Sequence, residues 1–445
     1  MTINWFSPVP PTRSSIAFDT AAVLPALARR AKIIVWTHQP TWLPALEQHA
    51  QVRRYDLSAM PWGEINSADA TFYHLGNHTD YHGPIWQVSA QHPGIVVLHD
   101  LNLQHFFVGL AARSVIRRRD YLQMMEVHHP EGGREIGQAL LAGTKGVDEI
   151  YEEYPLTWAA LENALGVAVH TRDGMGPLAE ATDLPVAYVP LFAPPDGPSF
   201  TMEKELRTRE ADRVDGLYRI IMFGFLGLNR RLGSLLKALH QFPERHRFHL
   251  DVYGTVEEEQ SFLQMVTTLK LDGLVTFHGF VSDADLNEAL ERSDLAINLR
   301  DPTMGEASAS QLRIWQHGLP SLVTDTGWYA TLPKNTVAVV RRGAEVEDIQ
   351  TQLGEFLMAP ERYRELGRNG RRYVNEHHTV EAYVDGLMQL ISATIEAGPR
   401  ESARWVSGRA GHSMRPWYSE KATVVLLPRL AEAIHDLFGE PQTGR

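Results

Sequence analysis

Cysteine is absent from the 445 residues of the sequence. A chain without cysteine forms no disulfides, which fits a reducing cytosol and is unlike a secreted disulfide scaffold. Catalysis by a thiolate and zinc binding through cysteine ligands are excluded for the same reason. We therefore expect a cytoplasmic protein.

Long apolar segments and a secretory start are also lacking. We find no run of about 18 apolar residues, so no segment is expected to span a membrane. The opening stretch MTINWFSPVPPTRSS has neither the basic start nor the apolar core of a signal peptide.

Positive charge is in deficit. The chain has 42 Lys and Arg against 54 Asp and Glu, for a net charge of -12. This balance argues against a nucleic-acid partner. The basic run at 117–119 is interpreted as a solvated helix face, and the alternative is contact with an anionic or membrane-borne acceptor at the inner face of a membrane.

The length and the rhythm of apolar segments predict two α/β domains. At 445 residues the chain exceeds what one core holds. Apolar, β-branched segments alternate with helical stretches in both halves, which is typical of parallel βαβ units with helices on both faces. Examples of the apolar segments are AKIIVWTH, GIVVLHDL, YRIIMFGF and LAINL, and helices are predicted at 41–50 and, around the basic run, at 105–129.

Domain boundaries follow from breaks in this rhythm. The N-terminal domain is predicted at 1–200, with a helical insertion at about 102–165. A Pro-rich and then charged linker follows at 201–217, where no apolar strand is found. The second domain is predicted at 218–395 and a helical extension at 396–445.

The segment GEASAS joins an apolar strand to a helix and predicts an anion site. The free N–H groups of the first helical turn face such a loop, and its small residues allow a phosphate to approach. Ser308 and Ser310 add hydroxyl groups, and Glu306 would reach uncharged hydroxyls beyond a diphosphate. The alternative is that a serine caps the helix while Glu306 favours the helix dipole.

The segment FGFLGLNRRLGSLLKAL repeats the arrangement of strand, loop and helix. Arg230 and Arg231 stand in its loop, and a guanidinium matches phosphate oxygens. The alternative is a solvated basic helix start, which the helix dipole disfavours.

Polar residues also follow strands of the first half. His99 and Asp100 come directly after an apolar strand, where open α/β sheets bind ligands. The alternative for His99 is a hydrogen-bonded histidine under the insertion. Arg13, Ser14 and Ser15 precede a helix, which either serine would cap. No set of His, Asp and Glu has a convincing metal spacing.

The second half resembles the retaining nucleotide-sugar glycosyltransferases of the GT-B type, close to glycosyltransferase family 4. The resemblance lies in FGFLGLNRRLGSLLKAL, DVYGT, LVTFHGFVSDADLNEALERSDLAINL and GEASASQLRIWQHGLPSLVTDTGW. PVPPTRSSIA and VVLHD extend it loosely to the first half. It implies an α/β GT-B fold, in which two doubly wound, Rossmann-like parallel-sheet domains face each other across a cleft.

The resemblance also implies roles for individual residues. Arg230 would hold the donor diphosphate, Glu306 the sugar hydroxyls, and His99 would orient the sugar. The remaining donor-binding residues, including backbone at the strand ends, are Arg231, Ala307, Ser308, Ala309, Ser310, Gly254, Phe280 and Val281. The acceptor side would use Arg13, Ser14, Ser15 and Asp100.

The chain departs from the family pattern at three places. Arg313 stands where the family has a second glutamate, and Phe225 where it has an arginine beside the diphosphate loop. Ser14 and Ser15 occupy positions where glycines are common.

We therefore predict retaining, metal-independent transfer of a sugar from a nucleoside diphosphate sugar to a glycan, lipid-linked glycan or small molecule. No cofactor is expected besides the nucleotide sugar as co-substrate. The alternatives are a GT-B relative, such as an epimerase or a phosphorylase, and a non-catalytic nucleotide-sugar-binding or assembly module. Arg313 and Phe225 favour the non-catalytic alternative.

Overall fold

The computed structural model describes residues 1–193 and 216–414, with short stretches at 428–429 and 431–433. The chain forms two compact units. Unit 1 contains Met1–His170, Gly174–Val189 and the chain from Val384, and unit 2 contains Thr171–Asp173 and Pro190–Tyr383. Nearly all of the predicted linker and much of the predicted extension lie outside the described residues.

Unit 1 is built on a parallel sheet of seven strands in the order β3-β2-β1-β4-β5-β6-β7. Its inner strands are buried on both faces, as their continuous apolar and β-branched sequences require. The strands are β1 (Thr2–Phe6), β2 (Lys32–Thr37), β3 (Gln51–Arg54), β4 (Ala70–Leu75), β5 (Gly94–Leu98), β6 (Ala164–Val169) and β7 (Val186–Tyr188).

Helices connect these strands, and several short ones fill the predicted insertion. The single helix predicted around the basic run is instead two, because the chain turns between them at Ser114, whose φ is 60°. The segment 41–50, predicted as a helix, forms only the 3₁₀ turn Pro44–Gln48. The helices are α1 (Ser15–Ala28), α2 (Trp62–Ile65), α3 (Thr79–Ser89), α4 (Gln104–Ala112), α5 (Arg118–His128), α6 (Gly133–Ala142), α7 (Thr157–Leu161) and α8 (Arg172–Ala181).

Unit 2 repeats the design with a parallel sheet of six strands in the order β10-β9-β8-β11-β12-β13. The strands are β8 (Tyr218–Leu226), β9 (Phe248–Val256), β10 (Val275–Gly279), β11 (Leu295–Asn298), β12 (Ser321–Thr324) and β13 (Ala338–Val340). Its helices are α9 (Leu232–Gln241), α10 (Glu259–Thr268), α11 (Asp283–Arg292), α12 (Ala309–Gln316), α13 (Gly327–Ala330), α14 (Glu345–Met358) and α15 (Pro360–His377).

The last described helix, α16 (Val380–Met414), carries the chain back to unit 1. An ion pair of 2.7 Å joins Asp385 on this helix to Arg30. The chain thus passes from unit 2 to unit 1 at Val384. No helix among the described residues is long and apolar enough to cross a membrane.

Both sheets have the strand order of a doubly wound Rossmann-like fold, which confirms the predicted fold class. The order reverses between β1 and β4 in unit 1, and between β8 and β11 in unit 2. Open α/β sheets bind ligands at this switch point, beyond the carboxyl ends of the strands. The loops after β8 and β11 are therefore the places to look in unit 2.

Candidate functional site

Two glycines bring the ends of β8 and β9 together beside this switch point. Gly224 and Gly254 pair in the parallel register, and both have positive φ, 112° and 105°. A Cβ on Gly254 would lie 2.0 Å from the carbonyl oxygen of Gly224. Only glycine fits this contact, so the DVYGT segment has a structural requirement for Gly254.

Arg230 is a buried cation in the loop after β8. It ends the 3₁₀ turn Leu228–Arg230, and its side chain is only 2% exposed. The Nη2 group donates to the side-chain oxygen of Asn298 (2.7 Å), while Nε has no hydrogen-bond partner among the described residues. A buried guanidinium with an unused donor is suited to an anionic ligand.

The charge of Arg230 persists at neutral pH. Burial lowers the pKa of its guanidinium to about 10, and the nearby charge of Arg300 lowers it as well. Tyr329 and Glu306 act in the opposite direction. Because the pKa stays well above 7, the group remains a cation when a phosphate approaches.

Asn298, the last residue of β11, organises the site. It accepts from Arg230, and its amide nitrogen donates to Gln311 (2.9 Å) and to the Ser308 hydroxyl (3.3 Å). Gln311 in turn donates to Ser321 at the start of β12 (2.8 Å). Asn298 and Gln311 were not predicted as site residues, although a polar residue at the end of an apolar strand, such as Asn298, is a usable signal.

The GEASAS segment forms the start of α12, as predicted. Ser308 is the N-cap, and its hydroxyl oxygen accepts from the backbone N–H of Gln311 (3.2 Å). The capping alternative therefore holds for Ser308. Ser310 lies next to the end of β8, since its hydroxyl oxygen is 3.6 Å from a Cβ placed on Gly224. Ala307, Ser308, Ala309 and Ser310 thus form a helix N-terminus with small side chains. This N-terminus lies beside Asn298, the residue to which Arg230 donates its hydrogen bond.

Glu306 is held by its own loop. One carboxylate oxygen pairs with Arg300 (2.6 Å), and the other accepts from the Thr303 hydroxyl (2.9 Å) and the Met304 N–H (2.7 Å). Arg300, which the sequence analysis missed, is largely neutralised by this pair. Glu306 is thus oriented by three donors, and a carboxylate so held still has lone pairs for a sugar hydroxyl.

Two other arginines form ion pairs and hydrogen bonds with side chains of neighbouring helices. Arg231 has φ of 59° and pairs with Glu345 (3.0 Å), which is 4% exposed at the start of α14. Arg313 reaches α11 and donates to Asp283 (2.6 Å) and to Asn287 (2.7 and 3.1 Å). Arg231 is therefore not a free cation for a diphosphate, and Arg313 fastens α12 to α11.

Two exposed phenyl rings lie at the edge of the unit 2 sheet where its parallel strands have their carboxyl ends. Phe225 follows Gly224 and is 69% exposed, and Phe280 follows β10 and is 64% exposed. Val281, predicted with Phe280 to bind the donor, is partly buried. His278 stacks on Tyr253 with ring centroids 4.2 Å apart, just before this turn.

Unit 1 gathers polar groups at the ends of β4, β5 and β6. Asp100 accepts from the backbone N–H of Asn77 (2.8 Å), and His99 is bonded to His74 across 3.0 Å. His99 therefore lies in a histidine cluster that the sequence analysis did not foresee, because its members are far apart in the chain. Those members are His74, His82, His99 and His170.

The start of α1 lies beside this cluster. A Cβ on Gly76 would stand 3.2 Å from Asp100 and 3.5 Å from Ile16, which places the first turn of α1 near Asp100. Ser14 is the N-cap, as predicted, but its side chain makes no capping bond, and Ser15 opens the helix. Arg13 is exposed.

Asp19, on the next turn of α1, was not singled out from the sequence. Part of this residue reaches the surface, yet the surrounding protein raises the pKa of its carboxyl to about 7. Among the described residues, no group of three His, Cys, Asp or Glu side chains could hold a metal ion.

Two Rossmann-like units, with a buried cation and a helix N-terminus at the switch point of the second, define a protein of the GT-B class. Residues 204–373 match the family model described as Glycosyl transferases group 1. The matched residues all lie within unit 2, so this unit is similar to the group 1 glycosyl transferases.

Solved structures agree on the fold. The Anabaena protein Alr3699/HepE, in complex with UDP, has a TM-score of 0.59 at 13% identity and covers 88% of this chain and 100% of its own. Sucrose-phosphate synthase from Thermosynechococcus elongatus has a TM-score of 0.59 at 16% identity, with 89% and 100% covered. WaaG, a glycosyltransferase involved in lipopolysaccharide biosynthesis, has a TM-score of 0.57 at 14% identity, with 88% and 99% covered. No curated protein matched the sequence.

Proposed function

We propose that the chain transfers a sugar, with retention and without a metal ion, from a nucleoside diphosphate sugar bound to unit 2. The observation that carries this proposal is the buried Arg230 guanidinium, whose Nε has no partner among the described residues. Such a cation is costly to bury unless an anion completes its bonds. A departing diphosphate supplies that anion.

Charge stabilisation would come from fixed groups of the protein. Arg230 and the N-terminus of α12 are already oriented, so they need no rearrangement when negative charge develops on the leaving diphosphate. This is the contribution that a bound metal ion would otherwise make. Glu306, held by Arg300, the Thr303 hydroxyl and the Met304 N–H, would accept hydrogen bonds from the sugar hydroxyls.

The donor and the acceptor are proposed from different lines of support. UDP is bound by the HepE structure, so a UDP-sugar is the first donor to test here. Acceptor binding is proposed for unit 1, where Asp100 and the start of α1 lie, and His99 in the same unit is proposed to orient the sugar. A carbohydrate or lipid-linked acceptor is proposed, and the basic run 117–119 is the segment proposed to meet a membrane-borne one.

The test is nucleotide binding by an Arg230→Ala variant. We expect the affinity for UDP to fall by roughly 10- to 150-fold, because one charge-assisted hydrogen bond contributes about 1.5–3 kcal/mol. Isothermal titration calorimetry measures the affinity, and sugar release from UDP-glucose measures turnover. Arg230→Lys should recover part of the binding, since it keeps the charge without the planar fork.

Arg372→Ala is the matched control, because it removes an exposed arginine of α15 in the same unit. Circular dichroism checks that each variant folds. If Arg230→Ala bound UDP as tightly as Arg372→Ala, the site assignment would be wrong. UDP binding by the wild type without turnover of any sugar would favour the non-catalytic alternative.

A further inference from the structure

Four histidines converge at the carboxyl ends of three adjacent strands in unit 1. His74 is the penultimate residue of β4, His99 follows β5, His170 follows β6, and His82 lies on α3. The His74 and His99 rings are 5.3 Å apart and those of His99 and His170 are 4.8 Å apart. His74, His82 and His170 are buried, whereas His99 is partly exposed at the edge of the sheet.

Two of these histidines have defined tautomers. The Nδ1 of His82 lies 2.9 Å from the carbonyl oxygen of His74, and the Nδ1 of His170 lies 2.8 Å from that of Val189. A carbonyl oxygen only accepts, so Nδ1 carries the hydrogen in both rings. Burial lowers the pKa of each to about 4, and both are therefore neutral at pH 7.

The remaining pair shares one hydrogen. The Nδ1 of His74 and the Nε2 of His99 are 3.0 Å apart, so one nitrogen donates and the other accepts. Burial lowers the pKa of both rings well below 6.5, and their histidine neighbours lower it further. Both rings are consequently neutral, and two tautomeric arrangements remain.

The surroundings of His74 favour one of the two tautomeric arrangements. Its Nε2 is buried and has no hydrogen-bond partner among the described residues, and the ring packs against Trp5 at 4.3 Å. If His99 donated, the Nε2 of His74 would have to carry an unpaired buried N–H, which is rarer in proteins than an unpaired acceptor. The favoured arrangement has the Nδ1–H of His74 donating to the Nε2 of His99.

We infer that His74 is a positioning residue that holds His99 as the Nδ1–H tautomer, which makes His99 a hydrogen-bond donor to a carbohydrate oxygen. The Nε2 of His99 is occupied and its Nδ1 already carries a hydrogen. His99 therefore cannot take a proton from a hydroxyl, and it does not act as a general base. This inference rests on the proposed function for the identity of the ligand, but the tautomer itself does not depend on it.

The first test is NMR spectroscopy of the full chain labelled with ¹⁵N-histidine at pH 7. We expect the His99 ring, assigned by the loss of its signals in His99→Asn, to be neutral with the hydrogen on Nδ1. A His99 ring with the hydrogen on Nε2, or a charged ring, would overturn the inference.

The second test compares two substitutions of His74. His74→Leu removes the donor and should leave His99 as a mixture of tautomers, lowering kcat/KM by about tenfold for the loss of one hydrogen bond. His74→Asn places an amide N–H close to the Nδ1 position and should restore both the tautomer and most of the activity. A purely structural His74 would lower the melting temperature in both variants without a tautomer change.

UDP binding to unit 2 separates this inference from the proposed function. The His74 variants should bind UDP as tightly as the wild type, because position 74 is in unit 1 and the proposed nucleotide site is in unit 2. A wild type that binds no nucleotide would refute the proposed function while leaving the tautomer measurement valid. Unchanged kcat/KM in a folded His74→Leu variant would refute the positioning role.

Discussion

Gly254 shows how a single residue shapes the donor side. Its φ of 105° is rare for residues with a side chain, and its α-carbon faces the backbone of Gly224 on the neighbouring strand. The close approach leaves the paired positions 224 and 254 near the ends of β8 and β9 without side chains. Backbone of this kind is what a diphosphate or a base can approach closely.

Replacing Gly254 by alanine should therefore be costly. The new Cβ would lie 2.0 Å from a backbone oxygen in a strained conformation, so we expect a loss of about 3 kcal/mol or more of unfolding free energy. Urea denaturation measures it. Gly233→Ala on α9 is the control, because its nearest side-chain atom is 3.8 Å away, and it should change stability by less than about 1 kcal/mol. Equal losses in the two variants would contradict this account.

At the scale of elements, α15 holds α12 in place. A Cβ on Gly370 would lie 2.0 Å from the Trp315 ring, and one on Gly367 would lie 2.0 Å from the carbonyl oxygen of Gly318. Trp315 also donates to the carbonyl oxygen of Thr336 (3.1 Å). Since α12 begins at the anion site, the packing at its far end sets where its N-terminus lies.

Gly367→Ala should push α15 away from this contact. We expect a loss of about 2–4 kcal/mol, because the clash is with backbone that has little room to shift. Gly354→Ala on α14 is the matched helical control, with its nearest atom at 4.0 Å, and it should be neutral or stabilising by up to about 1 kcal/mol. Denaturant unfolding compares the two, and a Gly367→Ala variant as stable as the control would rule out tight packing here.

At the scale of the whole molecule, the histidine cluster makes stability depend on pH. His74, His82, His99 and His170 have folded-state pKa values below 6.5, so the unfolded chain binds more protons as the pH falls. The contribution of His82 and His170 is complete above about pH 6.5 and is lost as the pH falls towards about 4, and the lowered pKa values of His74 and His99 act in the same direction. Asp19, whose pKa is raised by burial to about 7, acts in the opposite direction across this range.

We therefore expect stability to fall between pH 7 and pH 5, by up to about 1.4 kcal/mol per pH unit for each neutral histidine. Urea unfolding at several pH values measures the slope. His82→Asn retains a donor near the Nδ1 position without titrating, so its slope should be smaller than that of the wild type by about one proton. An identical slope would show that His82 is not held neutral.

Much of the fold was predictable because it depends on local patterns. Continuous apolar, β-branched segments specify buried parallel strands, and the small residues of GEASAS specify a strand-to-helix turn, whatever lies around them. The predicted roles of Arg230 and Glu306 arose in the same way, from residue type and position after a strand. The helix prediction for 41–50 was wrong because an apolar pattern of ten residues does not distinguish an α-helix from a 3₁₀ turn.

The sequence by itself determined the two α/β halves, the loops that carry the anion site and the family resemblance, since these reside in short stretches of chain. Only the tertiary structure decided how charges and hydrogen bonds are shared across the sheets. In the folded chain Arg231 forms an ion pair with Glu345, Arg313 donates hydrogen bonds to α11, and Arg230 donates one to Asn298. Folding also brings together four histidines from separate strands and a helix. Such contacts join residues distant in the chain, and their energies depend on burial that no local pattern encodes.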